Sequence, residues 1–329
     1  RCPVAENRFN LLITTETDPA ADWLLFESHL DTVSIEGMTV PPCTLTTAGD
    51  RLYGRGACDT KGSGAAMLWA LKDYAKASPR PRNAGLVFTV DEEARMLGAQ
   101  AFAAEELREF LPRLRGMIVG EPTQLRPVVA HNGALRWRTI TRGVAAHSSD
   151  PTQGRSAISA MLRVVDALEQ RFVPLANREF PLTGRAAASI NVIRGGTAVN
   201  IIPDYCEIIC DRRLVPGETV GQVLAERDAA LAGLSVAHDN EYLAPPLPPG
   251  SSAVLHAWMQ PAFAALNLPA AALGVPYATN ASHYAAAGAH VLVLGPGNIA
   301  QAHTRDEWLE RTALARAENL YGALMRLPP

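Results

Sequence analysis

Short, uniformly apolar runs alternate along this chain with longer stretches whose apolar residues recur every three or four positions. Trp23-Leu24-Leu25-Phe26, Leu86-Val87-Phe88-Thr89-Val90, Met117-Ile118-Val119 and Val291-Leu292-Val293-Leu294 are of the first kind, the pattern of strands covered on both faces of a sheet. Gly64 to Ala75 is of the second kind, with Met67, Leu68, Leu71 and Tyr74 at helical spacing, and the last segment sets Ala313, Ala317, Leu320, Tyr321 and Leu324 on one stripe. The alternation predicts an α/β fold.

Between about Ala134 and Leu243 the pattern changes. A strand alternates over Leu135 to Thr141, a helix is expected near Ser156 to Gln170, strands near Ala188 to Ile193 and Asp204 to Leu214, and a helix from Thr219 to Ala232. This is a smaller α+β domain, closed by the turn-rich linker Ala244-Pro245-Pro246-Leu247-Pro248-Pro249-Gly250-Ser251. The expected organisation is a catalytic domain in two parts, 1–133 and 244–329, interrupted by an inserted domain over 134–243.

Composition narrows the function classes. A chain of 329 residues with 48% hydrophobic residues can fill ordinary globular cores. The net charge of -3, with both signs dispersed, gives no basic face for nucleic acid. Five cysteines, an odd number without paired spacing, read as reduced thiols. Cys206 and Cys210 share one strand face but stand roughly 13 Å apart, too far for one ion. No apolar stretch is long enough for a membrane span and the first residues lack the order of a secretion signal, so a cytoplasmic enzyme without a membrane partner is expected. The chain enters the apolar segment Phe9-Asn10-Leu11-Leu12-Ile13 almost at once, and a further N-terminal piece is expected to precede it.

The candidate chemistry follows the apolar runs. His29-Leu30-Asp31, Asp59 in the glycine-rich Gly54 to Gly62 segment, Asp91-Glu92-Glu93, Glu121 and His303 supply carboxylates and imidazoles at five places. Each is weak alone: His-x-Asp is more often a capped strand end, an acidic triplet a solvated turn, and Glu121 a surface acid. Together they form the donor set of a two-metal hydrolase, delivered where strands of an open sheet end beside a crevice. Asp31 is spaced to accept from the second ring nitrogen of His29, and of the adjacent Glu92 and Glu93 one can bind metal while the other acts as base. Two nucleotide motifs are decoys. Lys61 precedes Gly62, so no Walker loop forms, and Gly295-Pro296-Gly297-Asn298-Ile299-Ala300 leaves too little chain for a dinucleotide unit.

The set Ser28-His29-Leu30-Asp31, Gly54 to Gly62, Thr89 to Glu93, Gly120-Glu121-Pro122-Thr123 and Gly295-Pro296-Gly297 leading to His303 resembles the di-zinc metallohydrolases that include acetylornithine deacetylase, succinyl-diaminopimelate desuccinylase, aminoacylase and glutamate carboxypeptidase. The match runs from near residue 9 to the C-terminus. The resemblance implies a mixed-sheet catalytic domain with an inserted α+β lid and dimerisation domain. It implies one zinc held by His29 and Glu121, another by Glu93 and His303, and Asp59 bridging them, with cobalt or manganese able to substitute. Glu92 would be the general base on a bridging water and Asp31 the partner of His29.

Gly143-Val144-Ala145-Ala146-His147-Ser148-Ser149 resembles the family's lid, which implies that His147 reaches a neighbouring subunit's site and polarises the scissile carbonyl. Asn200 and Arg213 fall where the family contacts the substrate backbone and carboxylate, a task that suits a bidentate guanidinium. The implied substrate is a small N-acyl amino acid, as in the acetylornithine deacetylase branch. A carboxypeptidase, dipeptidase or succinyl-diaminopimelate desuccinylase would use the same centre, and a non-catalytic binding protein on this fold is the rival from another class. One departure stands out: the loop Ala278-Thr279-Asn280-Ala281-Ser282 lacks the acid that the family usually carries there.

Overall fold

The computed structural model describes residues 1–328, with side chains at all of them except 240 and 241. Its contacts divide the chain into two units. The first comprises Arg1–Ala130, Leu247–Gly274 and Thr279–Pro329, and the second His131–Pro246 and Val275–Ala278.

The first unit is built on an eight-stranded mixed sheet. Its strands lie in the order Cys2–Ala5, Arg8–Thr15, Asn83–Thr89, Trp23–His29, Leu114–Val119, Val291–Val293, Val128–His131 and Leu273–Val275. The four strands from Asn83–Thr89 to Val291–Val293 are parallel to one another. Trp23–His29 and Asn83–Thr89 are buried along their whole length, which is why they read as continuous apolar runs rather than alternating ones. Leu24, Phe26, Leu86, Phe88, Ile118 and Leu292 meet Met67, Leu71 and Tyr74 of the Lys61–Lys76 helix and Leu320, Tyr321 and Leu324 of the Arg311–Arg326 helix in one core. Truncating one of these, as in Leu24→Ala, costs about 2–5 kcal/mol through lost transfer energy and the cavity left behind. Leu68, expected on the buried stripe, is instead exposed, and Ala66 and Ala70 complete the buried face. Residues 63, 67, 70, 71 and 74 span an arc of about 100°, and position 68 lies about 60° beyond the edge of that arc at Leu71.

Parallel alignment fixes where the strands end. His29 lies beside Thr89, and Glu27 lies beside Val119. The residues just past Thr89, Val119 and Val293 therefore emerge from the same sheet end as His29, where an open α/β sheet places its crevice.

The second unit carries a four-stranded antiparallel sheet in the order Ala187–Gly195, Tyr205–Leu214, Gly133–Arg142 and Ala237–Ala244. Burial largely alternates along Gly133–Arg142 and Tyr205–Leu214, as expected when one sheet face meets a core and the other does not. Helices Ala157–Ala167 and Val220–Ala230 contribute Met161, Val164 and Val223 to the core against Trp137, Ile208 and Leu214. Each helix starts where its sequence supplies a cap: the Ser156 and Thr219 hydroxyls accept from Ser159 N and Gln222 N at 3.1 and 3.2 Å. Cys206 and Cys210 are buried in this core and unpaired. The Ala237–Ala244 strand takes up the first residue of the expected linker, with its edge pairing to Gly133–Arg142. No helix among the described residues is long and apolar enough to cross a membrane.

Candidate metal centre

His29 is the last residue of its strand and is 1% exposed. Its Nδ1 lies 3.0 Å from the Asp31 backbone carbonyl, which can only accept, so Nδ1 carries a proton and Nε2 faces the cluster. The sequence assigned this contact to the Asp31 carboxylate. That carboxylate is 3.7 Å away and instead accepts from the backbone N–H groups of Glu92 and Glu93, at 3.1 and 3.0 Å. Asp31 thus orients the imbidazole through its main chain and the acidic turn through its side chain.

The turn itself begins at Asp91, whose φ of 70° lies in the left-handed region, one that Asp tolerates better than most residues. Asp91 pairs with Arg8, away from the other two acids. One member of the triplet is thereby neutralised by a cation of the fold, while Glu92 and Glu93 turn toward the cluster.

Two three-residue groups meet at one shared carboxylate. His29 Nε2 lies 2.9 Å from Asp59 Oδ1 and 3.9 Å from Glu121 Oε1. His303 Nε2 lies 3.2 Å from Asp59 Oδ2 and 2.9 Å from Glu93 Oε1. Within each group the potential ligand atoms all lie within 4.8 Å of one another. Donors about 2.0–2.1 Å from a zinc ion stand about 3.3 Å apart at the tetrahedral angle, so these separations suit an ion with little rearrangement. The donor set also suits it, because imidazole and carboxylate oxygen are the ordinary ligands of zinc and similar divalents.

Charge points the same way. Burial pushes the Glu92 carboxyl up to about 8, with Glu93 and Asp59 adding to the rise and His29 opposing it. Glu121 is also held well above the usual carboxylate range, by burial and then by the Asp59 charge. His303 is pushed up to about 10 by its hydrogen bonds to Asp59 and Glu93. At His29 burial would lower the value, but the Asp59 hydrogen bond and the charges of Glu92 and Glu121 outweigh it and raise it. Asp59 is lowered despite its burial, because both imidazoles bond to it. The cluster holds more carboxylates than its two imidazoles can neutralise, and without metal ions protons take up the remainder.

Two buried acids escaped the sequence reading. Glu307 accepts from the backbone of the Asp59 loop. Glu27, two residues before His29, accepts from Thr89 and, at 2.9 Å, from Asn280 Nδ2. The loop lacking an acid thus presents an amide donor to a carboxylate supplied by the neighbouring strand. The apolar run around Glu27 hinted at an acid that must find partners inside, whereas Glu307 sat unmarked in a polar stretch.

The turn glycines have steric reasons. A side chain at Gly295 would meet the Glu121 carbonyl at 2.5 Å, and one at Gly297, with φ of 81°, would meet Cys58 Sγ at 2.5 Å. They pack the His303 turn against the ligand loops. The chain after Gly297 forms turns rather than a helix, so the dinucleotide motif has no helix to complete it.

The remaining sequence candidates lie in the second unit. His147 is exposed and pairs through its backbone with Ile201, while Ser148 N donates to the Asn200 carbonyl at 3.0 Å, so His147 and Asn200 are neighbours. Ser149 N donates to His147 Nδ1 at 3.2 Å, which makes Nε2 the donor of a neutral ring. Arg213 is half-buried on the Tyr205–Leu214 strand and donates through Nε to Asp211 at 2.7 Å.

A model of the peptidase family M20/M25/M40 matches residues 25–327. The chain belongs to this family. It is a metal-dependent hydrolase of the peptidase and amidohydrolase type. It is 34% identical to an acetylornithine deacetylase of Edwardsiella ictaluri, over 98% of this chain and 84% of that protein. Among solved structures, an M20 family metallo-carboxypeptidase of Sulfolobus solfataricus superposes with a TM-score of 0.74 at 17% identity, covering 96% of this chain and 87% of that one. Aminopeptidase PepT of Bacillus cereus gives 0.72 at 21%, covering 97% and 84%. These structural likenesses concern the fold.

Proposed function

We propose that this protein hydrolyses the amide bond of an N-acyl amino acid, as an acetylornithine deacetylase does, using two divalent cations, zinc in the first instance. His29 and Glu121 would hold one ion, Glu93 and His303 the other, and Asp59 both. The observation that carries this reading is the shared position of Asp59, with one oxygen toward His29 and the other toward His303. The similarity to acetylornithine deacetylases over nearly the whole chain supports the substrate class.

Bound there, the cation pair would acidify a water and polarise the acyl carbonyl. Glu92 accepts the proton of the attacking water and returns it to the departing amine, the two-way transfer that general acid-base catalysis requires. Asp31 holds the backbone of both Glu92 and Glu93, so that adjacent side chains serve different ends: Glu93 reaches His303 and Glu92 stays free to work. His147 donates Nε2–H to the developing oxyanion of a neighbouring subunit's substrate, in a dimer formed through the second unit. Asn200 and Arg213 bind the substrate's polar groups.

Replacing Glu92 separates chemistry from binding. Glu92→Gln should retain the zinc content of the wild-type protein while turnover of N-acetyl amino acids falls by about 10²–10⁴-fold. Elemental analysis and a substrate screen that includes succinyl amino acids and dipeptides check this. A fully active variant would remove Glu92 as the base, and turnover of dipeptides alone would remove the deacylase reading.

A further inference from the structure

Glu307 takes no part in the chemistry above, yet the loop carrying Asp59 is wrapped around it. Its Oε1 accepts from the backbone N–H groups of Cys58 and Asp59, both at 2.8 Å. Its Oε2 accepts from Gly56 N and from Arg55 Nη1, both at 2.9 Å. Its own carbonyl accepts from Gly54 N at 3.1 Å. Of the remaining backbone donors in this stretch, Arg55 N goes to Pro42 and Ala57 N to Gly54. The loop has no regular secondary structure to satisfy its N–H groups, so one buried carboxylate does so.

An ionised carboxylate has about four acceptor positions, and all four are used here. No other buried side chain of this centre is so fully engaged with main chain. The glutamate also joins three parts of the cluster. It lies four residues after His303, it bonds directly to the N–H of Asp59, and through Arg55, whose Nε donates to Ser34 O at 3.2 Å, it reaches the segment that follows Asp31.

We propose that Glu307 is a positioning residue of the metal centre. By gathering the Gly56, Cys58 and Asp59 N–H groups, it fixes the direction in which the Asp59 side chain leaves the backbone, and so holds its two oxygens between His29 and His303. This rests on the reading of Asp59 as a ligand shared by two ions. The amide of Glu307→Gln would present N–H groups to two of the four donors, so the isosteric change disrupts the loop while every ligand remains.

The test is a zinc titration of the metal-stripped protein against a chromophoric chelator, with unfolding of the stripped protein followed separately. Glu310→Gln, an exposed acid on the same segment, serves as control. Wild type and Glu310→Gln should bind two zinc ions per chain. In Glu307→Gln at least one of the two affinities should fall by about 10–100-fold, the usual loss for a group that orients ligands, and kcat should fall more than KM changes. If the amide variant fails to fold, Glu307→Asp, which keeps the charge but withdraws it by one methylene, is titrated and judged the same way. A variant with wild-type zinc affinities overturns the proposal, and does so equally if its stripped form melts at a lower temperature, since that assigns Glu307 a purely structural role. Absence of zinc binding by the wild type overturns the reading of the site itself, and this proposal with it.

Discussion

The two halves of the cluster have similar donors and different surroundings. Around His29, Asp59 and Glu121 the side chains are 1%, 8% and 7% exposed, whereas His303 in the other half is 51% exposed. Water can solvate the outer half when no cation is present, but it cannot reach the inner one, where an uncompensated carboxylate is costly. On the proposed two-ion reading, similar donors would thus give an inner position that demands an ion and an outer one that can exchange it. Asp59 couples them, because a shift of either oxygen is felt on both sides.

The strongest way to break this contrast is to remove the shared group. Asp59→Asn takes charge from both halves at once, so both zinc affinities should fall, by more than the about 10–100-fold of a ligand-orienting residue, and turnover with them. Chelator titration measures it, and loss confined to one ion would mean that the carboxylate is not shared. A smaller, asymmetric effect should separate the imidazoles. After dialysis, His303→Ala should keep about one zinc per chain, while His29→Ala should keep none, because the inner half then holds an unbalanced buried charge. Elemental analysis of the two variants checks the order.

Proton linkage gives the finest discrimination. His303, raised from 6.5 to about 10, is protonated in the folded stripped protein and neutral in the unfolded chain between those values. Glu92, raised from 4.5 to about 8, is protonated in the fold and ionised in the unfolded chain between those values. In both windows the folded state binds the extra proton, so the stripped protein loses stability as pH rises, most steeply from about 6.5 to 8 where the windows overlap. Zinc requires a neutral imidazole and must displace the His303 proton, so binding should release protons and strengthen with pH. Unfolding temperatures across pH 6–9 should slope downward for the stripped protein and less so for the loaded one. Equal slopes would contradict this.

The contrast between what was legible in sequence and what was not has physical causes. Strands buried on both faces leave apolar runs, so the acids and imidazole just past them, His29, Glu92, Glu93 and Glu121, could be singled out from pattern as candidates, while their separate roles were implied only by the family resemblance. The three-residue strands Thr46–Ala48, Arg51–Tyr53 and Trp308–Glu310 are too short to show a period. Glu307 was invisible for a different reason: three of its four donors are main-chain N–H groups far away in sequence, which no residue type announces. Asp31 was read as the companion of His29, but only the fold could tell its carbonyl from its carboxylate. In the second unit, the apolar pattern gave three of the four strands and both long helices, while the roles proposed for His147, Asn200 and Arg213 depend on a substrate and an assembly that no local pattern encodes.

Anomalous diffraction at the zinc edge, from crystals of the loaded protein, addresses the shared carboxylate most directly. Two peaks per chain are expected, one bounded by His29 and Glu121, the other by Glu93 and His303, with one Asp59 oxygen on each. A single peak, or two peaks without Asp59 between them, would contradict it.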